Sequence, residues 1–221
     1  MTPAALTGRD TAHLTQVGDH WLNHHVVADF AMLREAAENA GFSLSIASSF
    51  RDFDRQCLIW NSKFDGRRPI LDDAGTVIDP SLLTDSEKIH AILRWSALPG
   101  ASRHHWGTDV DVYAKNLLPK ETGLKLEPWE YDDGHQAAFS LWLDSNIERF
   151  GFFRPYQKDL GGVAREPWHI SHKATSFPYL QALTPDLLSH VLSESAVLGN
   201  ATIVSELDSI YSRYISNICE Y

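Results

Sequence analysis

The order of hydrophobic and polar positions predicts alternating helices and short strands in the first half of the chain. Apolar residues recur at helical spacing through residues 22–40, and Gly41 follows as a natural helix stop. Residues 42–49 then alternate apolar side chains with serines, which is typical of a half-buried strand. The same alternation in residues 108–113 predicts a second strand.

From residue 61 onward, the pattern predicts further helices mixed with short extended pieces. A polar connection covers residues 61–83, and a capping-box pattern at 84–87 begins a helix that ends before a Leu-Pro-Gly sequence. Residues 134–151 have helical periodicity, short extended pieces surround Phe152 and residues 163–171, and the chain is helical again from Pro178 onward. Because no regular strand–helix–strand repeat appears, we predict an α+β fold.

The amino-acid composition limits the kinds of molecule that the protein is expected to bind. Acidic residues outnumber basic ones by 29 to 19, giving a net charge of -10, which argues against a nucleic-acid partner. No apolar segment is long enough to span a bilayer, so no membrane insertion is expected. Cys57 and Cys219 lie far apart without CxxC spacing, which favours two free thiols over a disulfide framework.

The N-terminus carries no basic start followed by an apolar run. The sequence as written therefore predicts a cytoplasmic protein. Removal of a leader would leave a periplasmic or extracellular protein looking the same.

Three polar stretches contain the residue types of a hydrolytic metal site. They are SSFRDFDRQ (48–56), PGASRHHWGTDVDVY (99–113) and EPWHISH (166–172). Zinc hydrolases commonly use three ligands from His, Asp or Glu, a carboxylate as general base and a cation that stabilises the oxyanion. The candidates for these roles are Arg51, His104 or His105, Asp109 or Asp111, Glu166, and His169 or His172.

Strand geometry places both aspartates on one face. Asp109 and Asp111 are two residues apart, so their side chains point the same way, while Val110 and Val112 point toward a core. Gly107 allows a sharp turn between the histidines and the strand. The spacing alone does not choose between the two aspartates or between the two adjacent histidines.

The three stretches resemble those of the zinc D-alanyl-D-alanine carboxypeptidases of the VanY type. That family shows the patterns SGYRSxxxQ, SxHxxGxAxD and ExWH in this order. The positions that match are Ser48, Arg51 and Gln56 in the first pattern, Ser102, His104, Gly107 and Asp111 in the second, and Glu166, Trp168 and His169 in the third.

The resemblance implies a role for each central residue. His104, Asp111 and His169 would be the ligands of one zinc ion. Glu166 would be the catalytic base, and Arg51 would bind the substrate carbonyl or oxyanion.

The resemblance also implies a substrate-binding region, in which we place Ser102, Gln56, Trp168 and Asp109. Asp109 departs from the family pattern, which has a small residue at this position. It would either hydrogen-bond a metal ligand or alter how the substrate fits.

The fold implied by the resemblance is Hedgehog/DD-peptidase-like. It has a small antiparallel sheet flanked by helices. We expect one peptidase domain over residues 1–221, with the matched core at about 22–175 and a helical C-terminal extension at 176–221.

The activity implied by the resemblance is hydrolysis of the terminal D-Ala-D-Ala bond, or a related D-amino acid bond, in a peptidoglycan stem peptide or muropeptide. One alternative is an endopeptidase that cuts within the stem peptide, such as a lysin-like L-alanyl-D-glutamate peptidase. Another is a non-catalytic, zinc-stabilised binding module, as the Hedgehog signalling domain illustrates. The presence of both Glu166 and Arg51 argues against the second alternative.

Overall fold

The computed structural model describes residues 1–73 and 75–219 of the 221-residue chain. The β-strands are β1 (Leu14–Val17), β2 (His20–Asn23), β3 (Leu44–Ser48), β4 (Ile70–Leu71), β5 (Val77–Ile78), β6 (Asp109–Ala114), β7 (Phe152–Phe153) and β8 (His169–His172). The α-helices are α1 (Pro3–Leu6), α2 (Val27–Asn39), α3 (Phe53–Phe64), α4 (Asp85–Leu93), α5 (Pro128–Asp132), α6 (Ala137–Asn146), α7 (Lys173–Ala182), α8 (Pro185–Ser193), α9 (Asn200–Ser205) and α10 (Leu207–Ile210).

A four-stranded antiparallel sheet organises the fold. Its strand order is β3-β6-β8-β7, and two small hairpins, β1-β2 and β4-β5, lie outside it. Helices surround these sheets, so the predicted α+β fold with a small antiparallel sheet flanked by helices is confirmed.

The two faces of the central sheet differ in chemistry. Val110, Val112 and Ile170 are fully buried on one face, in a core shared with Phe30 of α2 and Phe139 of α6. Because side chains alternate along a strand, the polar residues between these apolar ones point to the opposite face. The sheet thus has an apolar side that anchors it and a polar side available for chemistry.

A second core joins α3 and α4 to the helices near the C-terminus. Trp60 and Ile92 belong to the same buried cluster as Leu188 of α8, Ile203 of α9 and Ile210 of α10. The region after residue 175 is helical, as expected, and it packs directly against α3 and α4. Residues 220 and 221 of the predicted extension lie outside the described residues.

Among the differences from the sequence prediction, two concern the helices α2 and α3. The helix expected over residues 22–40 begins only at Val27, because residues 20–23 pair with β1 in a hairpin. Helix α3 was not predicted, and its N-terminus is capped by Asp52, whose carboxylate accepts a 2.6 Å hydrogen bond from the Arg55 backbone N–H. It buries Phe53 and Trp60, and it extends into the segment predicted to be a connection.

Two expectations from the sequence, the absence of a membrane-spanning segment and two free cysteine thiols, can be compared with the described residues. No helix there combines the length and apolar character needed to cross a bilayer. Cys57 and Cys219 are both free thiols.

Candidate active site

The three motif stretches meet along one row of the central sheet. Asp111 of β6 lies opposite His169 of β8 on one side and opposite Ser48 of β3 on the other. His104 lies just before β6, in a 3-10 turn over Arg103–Trp106. Strand register therefore brings together residues that are more than a hundred positions apart in the chain.

Gly107 makes the connection between this turn and β6. Its φ is +66°, in the left-handed region that glycine adopts without strain. A Cβ at this position would lie only 2.5 Å from Cδ2 of Leu14 and 2.8 Å from the backbone N of Asn23. The turn that positions His104 therefore needs glycine both for its backbone conformation and for the close approach of β1 and β2.

His104, Asp111 and His169 form a buried group with the geometry of a metal site. One nitrogen or oxygen of each residue lies within 4.8 Å of the others. Nε2 of His104 is 3.5 Å from Oδ2 of Asp111, and Nδ1 of His169 is 3.3 Å from Oδ1 of Asp111. Nδ1 of His104 is buried without a hydrogen-bond partner among the described residues. Two imidazoles and a carboxylate, with one ring nitrogen unsatisfied, fit a divalent metal such as zinc.

Glu166 is brought to this group by a tight turn. The backbone N–H of His169 donates to the carbonyl of Glu166 at 3.1 Å, with Pro167 at the second position, which proline favours. This turn places Oε2 of Glu166 3.2 Å from Nδ1 of His169. Burial raises the pKa of Glu166 and outweighs the opposing hydrogen bond to His169. A carboxyl group with a raised pKa beside a candidate metal site is suited to proton transfer.

In the metal-free protein, the pKa values of the two candidate histidine ligands are shifted in opposite directions. Burial lowers the pKa of His104 to about 4, so its ring is neutral at pH 7. Burial also tends to lower the pKa of His169, but hydrogen bonds to Asp109, Asp111 and Glu166 raise it well above its ordinary value. His169 therefore holds a proton that a metal ion would displace.

Arg51 is held rigidly at the edge of this group. Its Nη1 donates to Oε1 of Gln56 at 2.8 Å, and its Nη2 donates to Oγ of Ser48 at 3.1 Å. Gln56, which has no exposed surface, is in turn tied to the carbonyl of Ala97 at 2.7 Å. Burial lowers the pKa of Arg51, while the charges of Asp111 and Glu166 act in the opposite direction. The guanidinium is thus fixed by neutral partners and stays available for an anionic ligand.

His105 supports Arg51 and lies away from the candidate metal site. Its Nδ1 is 2.6 Å from the carbonyl oxygen of Arg51, and its Nε2 accepts a hydrogen bond from the Gly100 N–H at 3.1 Å. Burial lowers the pKa of His105 to about 3, so the ring stays neutral. The structure therefore shows that His104, and not His105, faces the candidate metal site, a choice that sequence spacing left open.

Asp109 lies beneath His169 and has no exposed surface. Its carboxylate is 3.0 Å from Nε2 of His169, and it accepts hydrogen bonds from Nε of Arg103 at 2.7 Å and from Oγ1 of Thr108 at 2.6 Å. Burial tends to raise the pKa of Asp109, but Arg103 and His169 hold it well below its usual range. An ionised Asp109 accepting from Nε2–H leaves Nδ1 of His169 to face the metal site. Of the two roles expected for Asp109, this position favours a hydrogen bond to a candidate metal ligand over an effect on substrate fit.

His172, the other histidine of the third stretch, points away from the site. Its Nε2 is 2.9 Å from Oδ2 of Asp29 on α2, and its Nδ1 is 2.9 Å from Oγ1 of Thr175. These contacts tie the end of β8 to its neighbouring helices.

A cavity of about 330 Å³ opens beside the candidate metal site. Ser102 and Trp168, which the sequence placed in the substrate region, line it together with Arg51 and Glu166. Oγ of Ser102 is buried without a hydrogen-bond partner, and Trp168 packs against Tyr131 with ring centroids 5.7 Å apart. Gln56 and Asp109, the other two residues of the predicted substrate region, are not among the described residues that line this cavity.

Sequence reasoning missed Tyr156, Arg103 and Ser171. Tyr156 lines the cavity, and burial raises its pKa to about 12. Ser171 lies opposite Asp109 in the strand register and accepts a 2.7 Å hydrogen bond from Nη2 of Arg103. The i+2 spacing of Ser171 from His169 was the one available signal, since it places both side chains on one face of β8.

Comparison with known protein families identifies the family to which this chain belongs. The family model of VanY, D-alanyl-D-alanine carboxypeptidase, matches residues 19–175 and so covers every motif residue described above. The chain belongs to the VanY family. It is also 38% identical over 121 residues to an uncharacterized protein of Haemophilus influenzae, covering 53% of this chain and 92% of that protein.

Solved structures of VanY proteins have a similar fold. The VanYB complex with D-alanine-D-alanine has a TM-score of 0.52 and 25% identity, covering 82% of this chain and 89% of that one. A mutant of the vancomycin-resistance D,D-pentapeptidase VanY, from a VanB-type resistance cassette and in complex with Zn(II), has a TM-score of 0.51 and 25% identity. The latter match covers 79% of this chain and 88% of that one. Family and fold together indicate a carboxypeptidase.

Proposed function

We propose that this VanY-family protein is a zinc-dependent carboxypeptidase that hydrolyses the terminal D-Ala-D-Ala bond of peptidoglycan peptides. The observation that carries the proposal is the convergence of His104, Asp111 and His169 with the Glu166 carboxylate 3.2 Å from His169. The VanY neighbours, one with D-alanine-D-alanine and one with Zn(II), support this substrate and this metal.

The ligands of the zinc ion would be Nδ1 of His169, a ring nitrogen of His104 and the carboxylate of Asp111. When bound, the metal lowers the pKa of a water molecule and polarises the scissile carbonyl. Asp109 orients the His169 ring by accepting from its Nε2, and the pair of strands β6 and β8 fixes the relative positions of two ligands.

Glu166 would act as the general base and then as the general acid. Burial raises the pKa of Glu166 in the cavity that Trp168 and Tyr156 also line, and the higher pKa makes its carboxylate a stronger base toward the attacking water. After attack, the same carboxyl group would pass that proton to the leaving amine. No covalent intermediate with the protein is needed.

Arg51 would stabilise the oxyanion that develops on the substrate carbonyl. Its hydrogen bonds to Gln56 and Ser48 fix the guanidinium before substrate arrives, so little reorganisation is needed during the reaction. Removal of an oxyanion donor of this kind lowers kcat by roughly 10²- to 10³-fold.

The substrate would be a peptidoglycan stem peptide or a muropeptide. The unpaired hydroxyl of Ser102 offers a hydrogen bond within the cavity, and the indole of Trp168 forms an apolar wall. A buried polar atom that no protein group satisfies is a natural contact for a bound ligand.

Mass spectrometry of muropeptides tests this proposal. Zinc-loaded protein would be incubated with a pentapeptide, a tetrapeptide and intact sacculi, with Glu166→Gln and the surface variant Glu148→Gln in parallel. We expect loss of one terminal alanine from the pentapeptide by wild type and Glu148→Gln, and none by Glu166→Gln. Cleavage inside the stem would instead establish an endopeptidase, and no cleavage by zinc-loaded wild type would refute a peptidase of either kind.

A further inference from the structure

The cavity beside the candidate metal site also has two basic residues in its wall, and we call the part around them the basic end. Its wall there consists of Ile59 and Lys63 from α3, Arg68 from the following loop, and Trp95 and Ser96 from the segment after α4. None of these residues belongs to the three motif stretches. A cationic wall is unexpected in a chain with a net charge of -10, and it raises the question of what the two cations bind.

Lys63 is partly buried, and its ammonium has a neutral partner. Its Nζ donates to Oγ of Ser96 at 2.7 Å, and no carboxylate of the described residues lies within ion-pair distance. Other cations of the same region do have acidic partners, such as Lys88 with Asp85 and Arg67 with Asp65. Burying an ammonium without an opposite charge costs free energy, which a bound anion would recover.

Arg68 adds a second positive charge beside Lys63. Its side chain is exposed and makes no hydrogen bond or ion pair with the described residues. Burial lowers the pKa of Lys63, and the positive charge of Arg68 lowers it further. Two neighbouring cations repel each other, so their presence on one cavity wall favours binding of an anion between them.

The basic end is close to the catalytic groups. The charge of Glu166 acts on Lys63 in the direction opposite to that of Arg68. Lys63 and Glu166 also line the same cavity, together with Arg51, His104, Asp111 and His169. An anion held here would therefore belong to a residue at or near the scissile bond.

We propose that Lys63 and Arg68 form a carboxylate-binding subsite that holds a carboxylate of the peptide substrate while its terminal bond is cut. This inference rests on the proposed function. The carboxylate has two sources, the free C-terminus of the leaving residue or an acidic side chain of the stem peptide. Either would receive charge-assisted hydrogen bonds from an ammonium and a guanidinium.

Calorimetric titration of zinc-loaded Glu166→Gln, which binds without turnover, tests the subsite. Three synthetic peptides ending in D-Ala-D-Ala would be used: the free acid, its C-terminal amide, and a free acid whose acidic side chain is amidated. On this background we expect Lys63→Met to weaken binding of the free acid by roughly 10- to 100-fold. Arg68→Gln should weaken it less, because its side chain is exposed, and Lys63→Arg should restore most of the affinity.

The peptide set identifies which carboxylate is bound. If Lys63 holds the C-terminal carboxylate, Lys63→Met will not change affinity for the amide. If it holds the side-chain carboxylate, the variant will not change affinity for the side-chain-amidated peptide. An equal loss for all three peptides, or no loss for any, overturns the proposal, because a purely structural Lys63–Ser96 contact makes no distinction between them.

Matched controls separate this result from a general charge effect and from failure of the proposed function. Lys88→Met and Arg67→Gln remove one cation each, outside the cavity, and should leave all affinities unchanged. If wild type cleaves the pentapeptide but Lys63→Met binds every peptide normally, the function stands and the subsite fails. If wild type cleaves nothing, the function fails, and the titration still decides the subsite; absence of any peptide binding refutes both.

Discussion

Replacement of Asp109 by asparagine tests the layer of contacts beneath the candidate metal site. The buried carboxylate compensates Arg103, which is 4% exposed, and it accepts from Nε2 of His169. Removing one charge of a buried pair costs roughly 3–5 kcal/mol. Arg103 keeps its hydrogen bond to Ser171 and its position over the Trp106 ring, so we expect the lower end, about 3 kcal/mol.

The same substitution should weaken zinc binding. An asparagine oxygen accepts from Nε2 of His169 less strongly than a carboxylate, which lowers the basicity of the ring and loosens its orientation. Loss of such a supporting contact typically lowers metal affinity by roughly 10- to 100-fold. Urea unfolding of the metal-free protein would measure the stability, and competition with a chromophoric chelator would measure the affinity.

Asp144→Asn is the matched control for this experiment. Asp144 also pairs with a buried arginine, Arg154, but on α6 and outside the metal site. We expect it to reduce stability without changing zinc affinity. If Asp109→Asn binds zinc within threefold of wild type while remaining folded, His169 does not depend on Asp109 for its orientation and the reasoning is wrong.

Three further predictions concern neighbouring contacts. Gly8→Ala should lower the free energy of unfolding by roughly 2–4 kcal/mol, because a Cβ would lie 2.3 Å from Nδ1 of His105, whereas Gly18→Ala, in open space, should cost only about 1 kcal/mol by urea unfolding. Gln56→Leu should release Arg51 from its hydrogen bond to Oε1 of Gln56 and lower kcat roughly tenfold in steady-state assays, with zinc affinity unchanged. Zinc binding near pH 7 should release about one proton from His169, so calorimetric enthalpies should vary with the buffer, and affinity should fall as pH drops from about 8 to about 6. A buffer-independent enthalpy would contradict the raised pKa of His169.

The strands that carry the site were predictable because their side-chain pattern is strong. Alternation within residues 108–113 identified β6, and it placed both aspartates opposite the valines that pack in the core. Helix α3 was missed because its polar first turn was interpreted only as catalytic chemistry, although Asp52 is a standard helix cap. The β1-β2 hairpin was missed because four-residue strands carry too little pattern to compete with the helix that follows.

Long-range contacts could not be deduced from sequence. Which of His104 and His105 faces the candidate metal site depends on a turn that directs one ring toward Asp111 and the other toward the carbonyl of Arg51. The role of Asp109 depends on Arg103 and on burial, neither of which a local pattern reports. Lys63 was part of no motif, and only the shape of the cavity places it near Glu166.

The proposed mechanism requires that His104, Asp111 and His169 hold the metal used in catalysis. Anomalous diffraction at the zinc absorption edge, from crystals grown with zinc, tests it most directly. We expect one strong peak among these three residues, with metal–ligand distances of about 2.0–2.2 Å and Nδ1 as the ligand atom of His169. A peak at another group of side chains, with the three residues ordered and empty of metal, would contradict it.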